Sequence, residues 1–89
     1  MGIIMSRIRK VRRTKAFDRH VKSIKDSDLL EKAKKHINKI IDNPLAGKPL
    51  RNVLKGERTI YVKPFRLVYS VDDDTIILLR FMHRKKAYK

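Results

Sequence analysis

The last third of the chain, residues 57–89, alternates apolar and polar side chains through three short runs. A period of two places successive side chains on opposite faces of a strand, so the pattern predicts an antiparallel meander with one buried and one open face. The three predicted strands are Arg58–Val62, Phe65–Val71 and Thr75–Met82. Three consecutive aspartates, residues 72–74, suit a tight second turn. We expect the Lys63–Pro64 connection to be longer than two residues or bulged, because proline cannot adopt the positive φ of a type I′ turn.

The expected register follows from the turns and assigns each side chain to a face. We pair Tyr61 with Arg66 in the first hairpin and Val71 with Thr75 in the second. The face expected to be buried carries Ile60, Val62, Leu67, Tyr69, Val71, Ile77, Leu79 and Phe81. The open face carries Thr59, Tyr61, Arg66, Val68, Ser70, Ile76, Leu78 and Arg80. In this register Tyr61, Arg66 and Arg80 form one row across the open face.

The first half of the chain predicts a basic strand and two helices. Residues 6–13 are dominated by Arg and Lys, which is typical of an edge strand protected against aggregation, with a disordered basic arm as the alternative. Thr14 is a plausible N-cap for a first helix, and Asp26 or Ser27 for a second helix that ends at Asn43–Pro44. The helical apolar stripes consist of Phe17, Val21 and Ile24, then Leu30, Ala33, Ile37, Ile40 and Ile41.

Together these elements predict one α+β domain over residues 1–89. We expect two N-terminal helices packed on one face of a small, mostly antiparallel four-stranded sheet. Residues 43–56, with two Pro and two Gly, are expected to form a connecting loop. The meander also brings basic residues to the end of the sheet away from the aspartates. These residues are Lys63, Arg66, Arg80, His83 and Arg84.

The charge of the chain points to a polyanionic or acidic partner. Lys and Arg number 24 against 9 Asp and Glu, a formal net charge of +15. Nucleic acid, a ribosome or an acidic protein would all satisfy this excess, while a generally basic proteome or a salt-rich or hot habitat is the alternative. The chain contains no Cys, which excludes disulfides and thiolate metal sites. The absence of Cys also makes a reducing cytoplasm the expected location. No apolar run approaches the ~20 residues that cross a bilayer, so we expect no membrane partner. Met5 is an alternative start.

Three strings of residues carry a family resemblance. They are Asn43-Pro44-Leu45-Ala46-Gly47-Lys48-Pro49-Leu50, Lys63-Pro64-Phe65-Arg66-Leu67-Val68-Tyr69 and His83-Arg84-Lys85-Lys86-Ala87-Tyr88. With the order of elements, they make the chain resemble RelE/ParE-type toxins of bacterial and archaeal toxin–antitoxin pairs. The resemblance implies an endoribonuclease of the RelE branch, which cleaves messenger RNA in the ribosomal A site. It also implies an acidic, RelB-like antitoxin as partner. The ParE branch, which inhibits DNA gyrase, and a degenerate inactive member remain alternatives.

The resemblance also implies roles for individual residues. Arg66 matches a strand arginine that stabilises the scissile phosphate, and Tyr88 a near-terminal tyrosine that positions a base. Arg84, or less cleanly His83, matches a basic residue after the last strand. The strand lysines of well-studied members are replaced by Thr59 and Tyr61, which leaves the general base open. The candidate catalytic residues are therefore Arg66, His83, Arg84 and Tyr88, and the candidate RNA-binding residues are Tyr61, Lys63, Arg80, Lys85, Lys86 and Lys89.

The chemistry of RNA cleavage suits these residue types without a metal or cofactor. The 2′-hydroxyl of RNA attacks the adjacent phosphate, so the protein must move protons and stabilise a dianionic phosphorane. A guanidinium such as that of Arg66 binds phosphate bidentately and stays charged. A histidine side chain such as that of His83 suits general acid–base catalysis near neutral pH. We expect His20 and His36 to be solvated helix residues, and the His spacing predicts no metal site.

Overall fold

The computed structural model describes residues 8–49 and 56–85 of the chain. The elements within them are β1 (Lys10–Arg13), α1 (Lys15–Lys22), α2 (Ser27–Asp42), β2 (Lys48–Pro49), β3 (Glu57–Val62), β4 (Phe65–Asp72) and β5 (Thr75–His83). The sheet order is β1-β5-β4-β3-β2, with β1 parallel to β5 and the other pairs antiparallel. The α+β class is confirmed. The sheet is five-stranded and mixed rather than four-stranded, because β2 lies within the stretch expected to be a loop.

Local capping chemistry fixes the ends of both helices. The Thr14 hydroxyl accepts a hydrogen bond from the Phe17 N–H at 3.0 Å and begins α1. The Asp26 carboxylate accepts from Asp28 N–H at 3.0 Å and from Leu29 N–H at 3.2 Å, so Asp26 rather than Ser27 caps α2. Helix α2 ends at Asp42, as expected. The next residue, Asn43, precedes Pro44, and a residue before proline avoids the helical conformation.

Both helices pack on one face of the sheet, which we call the helix face. The core cluster combines Phe17, Leu29, Ala33 and Ile40 of the helices with Val62, Leu67, Tyr69, Ile76, Leu78 and Phe81 of the sheet. Burial of these apolar side chains supplies the main driving force for the domain. The opposite surface of the sheet is the outer face. Among the described residues no helix is long and apolar enough to span a membrane.

The second hairpin differs from the expected register. Asp72 pairs with Thr75, so a two-residue turn replaces the expected Val71–Thr75 pair. Asp73 adopts a φ of 57°, which Asp tolerates in tight turns. This shift moves Ile76 into the core, whereas Ile77 was expected there.

A bulge in β5 changes the register a second time. Val68 pairs with Arg80 and Tyr69 with Leu78, so Leu79 has no opposing residue in β4. Leu78 therefore joins the core in place of Leu79, which the alternation had placed there. The extra residue restores the parity of the strand, so Arg80 stays on the outer face and Phe81 on the helix face, as predicted.

The first hairpin keeps the predicted register but has a tighter turn. Tyr61 pairs with Arg66, as expected. Val62 pairs with Phe65, so Lys63 and Pro64 alone form the turn, and the longer connection expected there is wrong. The Lys63–Pro64 peptide is cis, which allows proline at the third position of a four-residue turn.

The segment before β3 is fastened to the sheet by a buried tyrosine. The Tyr69 hydroxyl donates to the Pro44 carbonyl at 2.8 Å and accepts from the Gly47 N–H at 2.9 Å. Burial raises the pKa of this hydroxyl, so it stays protonated as a donor. The Arg58 guanidinium donates to the Gly47 carbonyl at 2.6 Å. These bonds join the loop after α2 to β3 and β4.

Candidate nucleic-acid interface

The outer face of the sheet carries the polar side chains that the sequence analysis singled out. Strand pairing places on it Glu57, Thr59, Tyr61, Arg66, Val68, Ser70, Ile77, Arg80 and Met82. Both helices lie on the other side of the sheet, so they leave this surface to other partners. Arg80 lies opposite Val68 and not opposite Arg66, where Met82 is found. The predicted row of Tyr61, Arg66 and Arg80 is therefore wrong for Arg80, because the two-residue turn and the bulge each shift the register by one residue.

Tyr61, Arg66 and Arg84 form the tyrosine–arginine cluster at the turn end of the outer face. The guanidinium carbon of Arg66 lies 4.5 Å from the centroid of the Tyr61 ring, a cation–π contact. Arg84 Nη1 donates to the Tyr61 hydroxyl oxygen at 3.3 Å. The Arg84 backbone N–H donates to the Pro64 carbonyl at 3.0 Å, which ties the residue to the first turn. One tyrosine thus contacts two permanently charged groups.

This cluster has the chemistry of a phosphate-binding surface. Guanidinium groups present several donors in a plane that matches phosphate oxygens. Because Arg84 donates to the Tyr61 oxygen, the phenolic proton remains able to donate to a ligand. Tyr61 is 36% exposed, so its ring edge is accessible. The arrangement is chemically suited to stabilise negative charge on a phosphate group.

His83 lies apart from the tyrosine–arginine cluster. It pairs with Phe65, and the two rings meet edge-on with centroids 5.8 Å apart, which places His83 on the helix face. The Lys85 N–H donates to His83 Nδ1 at 3.2 Å, so a neutral ring carries its proton on Nε2. The expected convergence of His83 with Arg66 is therefore corrected, because alternation along β5 sends His83 to the opposite face from Met82 and Arg80.

The other candidate residues are placed as follows. Arg80 donates to the Glu57 carboxylate at 3.2 Å, an ion pair that the sequence analysis missed. Lys63 and Lys85 are exposed at the turn end of the sheet. Lys86, Tyr88 and Lys89 lie outside the described residues. The sequence holds one signal for this ion pair. Glu57 is an acidic residue at the start of β3, and alternation places it on the same face as Thr59 and Tyr61.

His20 fastens α1 to β5 and is not simply solvated, as had been expected. β1 ends opposite Leu78, so β5 loses its strand neighbour on that side. The Thr14 hydroxyl then donates to the Leu79 carbonyl at 2.9 Å, and His20 Nδ1 accepts from the Phe81 N–H at 3.2 Å. Nδ1 must be unprotonated to accept this bond. Burial lowers the pKa of His20 below its ordinary value of 6.5, and the charges of Arg19 and Arg80 lower it further.

This contact predicts a pH dependence of stability. With a depressed pKa in the folded state, His20 contributes stability that is complete above 6.5 and is lost as the pH falls through the folded pKa. We expect the unfolding free energy of the wild type to fall more steeply from about pH 7 to about pH 5 than that of His20→Gln. Urea titrations across this range measure the difference, with His36→Gln as the control because His36 contacts Lys32 within its own helix. Equal slopes for the wild type and His20→Gln would contradict the assignment.

A groove lies on the opposite side of the molecule from the cluster. It has a volume of about 690 Å³ and is bounded by β1, α1 and α2. Its apolar lining consists of Val11, Phe17, Val21, Leu30, Ala33, Ile37 and Leu78. Arg12, Arg13 and Lys34 add positive charge along it, with Asp18 as the acidic member. The groove fits an amphipathic segment with acidic flanks.

Within the described ranges, no three His, Asp or Glu side chains come together in a way that could hold a metal ion.

The comparison with known families agrees with the fold. Residues 11–88 match the model described as the ParE toxin of type II toxin–antitoxin systems, parDE. The chain belongs to the RelE/ParE superfamily of toxins. Among curated protein sequences, none matches this chain at a significant level.

Solved structures of this superfamily share the fold. The RelBE2 toxin–antitoxin complex of Mycobacterium tuberculosis is 31% identical, covers 84% of this chain and 90% of its own, and has a TM-score of 0.71. The DinJ–YafQ toxin–antitoxin complex of E. coli is 21% identical over 91% of this chain and 98% of its own, with a TM-score of 0.77. The chromosomal ParDE system of P. aeruginosa is 15% identical over 88% and 98%, with a TM-score of 0.66.

Proposed function

We propose that this toxin is a metal-independent endoribonuclease that cleaves messenger RNA on the ribosome and so inhibits translation in the cytoplasm. The observation that carries the proposal is the tyrosine–arginine cluster, in which Arg66 and Arg84 both contact Tyr61 on the outer face. Two guanidinium groups at one point are suited to a phosphodiester whose charge increases during cleavage.

The proposed reaction uses the 2′-hydroxyl of the message as nucleophile. Its oxygen loses its proton to water as it attacks the adjacent phosphorus, and the bond from phosphorus to the 5′-oxygen of the next nucleotide breaks. The departing oxygen takes up a proton, which leaves a cyclic phosphate and a 5′-hydroxyl. Arg66 and Arg84 stabilise the phosphorane, and the Tyr61 hydroxyl donates to a phosphate oxygen or to the departing 5′-oxygen. In the described residues the cluster contains no carboxylate or imidazole, so we assign it charge stabilisation rather than proton removal. Tyr88, as a base-stacking residue, remains part of this proposal.

Inhibition of DNA gyrase is the second candidate. It is favoured by the match to the ParE family model and by the position of His83 on the helix face, away from Arg66. A binding toxin needs neither a general base nor an assembled cleavage site. The fold is shared by both branches and does not decide between them.

Two assays on the same preparation separate the candidates. We expect a purified translation system to accumulate cleaved message when the wild-type protein is added, while gyrase supercoils plasmid DNA normally in its presence. Primer extension locates the cleavage sites, and omission of ribosomes serves as the control. Intact message together with blocked supercoiling would overturn the nuclease proposal in favour of the second candidate.

We also propose an acidic antitoxin as the partner of this chain, with an apolar segment in the groove between β1, α1 and α2. The charge of +15 favours rapid encounter with such a protein, and the apolar lining with Arg12, Arg13 and Lys34 fits an acidic amphipathic helix. The antitoxin is expected to be encoded beside the toxin gene.

A charge placed in the groove should weaken this complex. Leu30 lines the groove without belonging to the core cluster, so Leu30→Lys is expected to raise the Kd for the antitoxin about ten-fold or more, since a buried apolar contact is lost and a charge is desolvated. Leu45→Lys is the matched control, because Leu45 is 65% exposed and lies outside the groove. Isothermal titration measures both. Equal affinities for the two variants would exclude the groove as the docking site.

A further inference from the structure

The Glu57–Arg80 ion pair crosses the middle of the outer face. Glu57 belongs to β3 and Arg80 to β5, so the pair reaches over β4, with Arg80 Nη2 3.2 Å from Glu57 Oε1. The side chains of Glu57 and Arg80 are 17% and 34% exposed, whereas those of Arg13 and Asp18 are 62% and 52% exposed. Ion pairs that are partly removed from water are screened less by salt than exposed ones.

The side chains beneath this ion pair are buried. Thr59 and Val68, which face each other on the outer face, are both buried, Val68 completely. Val68 is nevertheless not part of the core cluster formed with the helices. In the described structure the Thr59 hydroxyl has no hydrogen-bond partner, so it does not compete for either charge of the pair. Glu57 and Arg80 therefore satisfy each other.

We propose that this ion pair forms the boundary of the phosphate-binding surface: Glu57 holds Arg80 away from the RNA backbone and confines binding to the tyrosine–arginine cluster. This inference rests on the RNA binding assumed in the proposed function. The charge of Arg80 is already matched by the Glu57 carboxylate. Arg66 and Arg84, by contrast, both contact the Tyr61 side chain at the turn end of the face. If a phosphodiester took the place of Glu57 on Arg80, the largely buried Glu57 carboxylate would lose its partner. An unpaired, partly buried charge is unfavourable, so this replacement is opposed. Arg80, expected from the sequence to bind RNA, is in this proposal kept from the RNA by Glu57.

The test counts phosphate contacts from the salt dependence of binding. The probe is a short unstructured single-stranded RNA with 2′-O-methyl groups, which cannot be cleaved through its own hydroxyl. Each phosphate contact contributes about 0.7 to the slope of log affinity against log salt for a single strand. Glu57→Gln is expected to steepen the slope by about 0.7 and to tighten binding by about five-fold at about 0.1 M salt, because Arg80 is released. Glu57→Gln/Arg80→Gln is expected to match the wild type in slope.

The outcomes separate this inference from the proposed function. If Arg80→Gln and the double variant both lose about 0.7 of the slope, Arg80 contacts phosphate directly and the inference is overturned. An unchanged slope for Glu57→Gln also overturns it. Glu31→Gln, the same loss of one negative charge on the exposed side of α2, controls for net charge and should leave the slope unchanged. Thermal unfolding of each variant confirms the fold. The nuclease proposal fails instead in the cleavage assay, which this binding measurement does not use.

Discussion

Replacement of Arg66 by glutamine is expected to lower the rate of ribosome-dependent message cleavage by about 10²–10³-fold, the usual effect of removing one preorganised donor to a developing oxyanion. Arg66 is held over the Tyr61 ring before substrate arrives, so its charge needs no reorganisation during the reaction. Single-turnover cleavage of message on stalled ribosomes measures the rate. Because the loss concerns charge that builds up in the transition state, affinity for the uncleaved RNA should fall much less than the rate.

Two further variants define the role of Arg66. Arg66→Lys keeps the charge but loses the planar guanidinium that stacks on Tyr61, so we expect it to recover only part of the rate. Lys35→Gln removes one positive charge from the opposite side of the molecule and should cleave like the wild type. Wild-type rates for Arg66→Gln would mean that the tyrosine–arginine cluster takes no part in catalysis, whatever the protein cleaves.

Gly47→Ala is expected to destabilise the fold by about 1–3 kcal/mol, the range for overpacking a filled site. A Cβ on residue 47 would lie 2.8 Å from the Tyr69 ring and hydroxyl and 2.9 Å from the Thr59 carbonyl. The Thr59 carbonyl belongs to a strand backbone and the Tyr69 ring is fully buried, so neither neighbour can move freely. The same change would also strain the hydrogen bond from Gly47 N–H to the Tyr69 hydroxyl. Chemical denaturation followed by circular dichroism measures the loss.

The matched control for this prediction lies two residues away. Leu45 is 65% exposed, so Leu45→Ala should change the unfolding free energy by no more than about 0.5 kcal/mol. Tyr69→Phe, which leaves the Pro44 carbonyl and the Gly47 N–H without this partner, should cost about 1–3 kcal/mol by itself. Because both changes act on one contact, their double variant should be less destabilised than the sum. Full stability of Gly47→Ala would contradict the described packing of this loop.

Features of the fold that depend on local chemistry were predictable from the sequence. Thr14 caps α1 through its own hydroxyl, and α2 ends where Pro44 restricts the preceding residue. The three strands of the meander follow from alternation, within one residue at their ends. The features that were missed depend on distant contacts. The two-residue strand Lys48–Pro49 exists because it pairs with β3, and the bulge at Leu79 depends on how β5 packs between β4 and the helices.

The same distinction applies to the candidate site. The Tyr61–Arg66 contact followed from one hairpin with a correct register, so the sequence sufficed to predict it. The Glu57–Arg80 pair joins β3 to β5 across β4, and it requires the bulge that places Arg80 opposite Val68. Alternation along β5 was sufficient to place His83 on the helix face. The prediction instead grouped His83 with Arg66, because both lie at the same end of the sheet. Strand ends were predictable, whereas the faces of residues 76–79, between the second turn and the bulge, were not.

Binding of RNA to the outer face at the tyrosine–arginine cluster is the expectation on which the proposed function depends. It is tested most directly by an NMR titration of the ¹⁵N-labelled protein with the 2′-O-methyl RNA strand. We expect the largest amide shifts near Tyr61, Arg66 and Arg84, with the amides of α2 that line the groove unaffected. Shifts confined to α1, α2 and β1 would show that polyanions bind on the other side of the molecule, and would contradict the account.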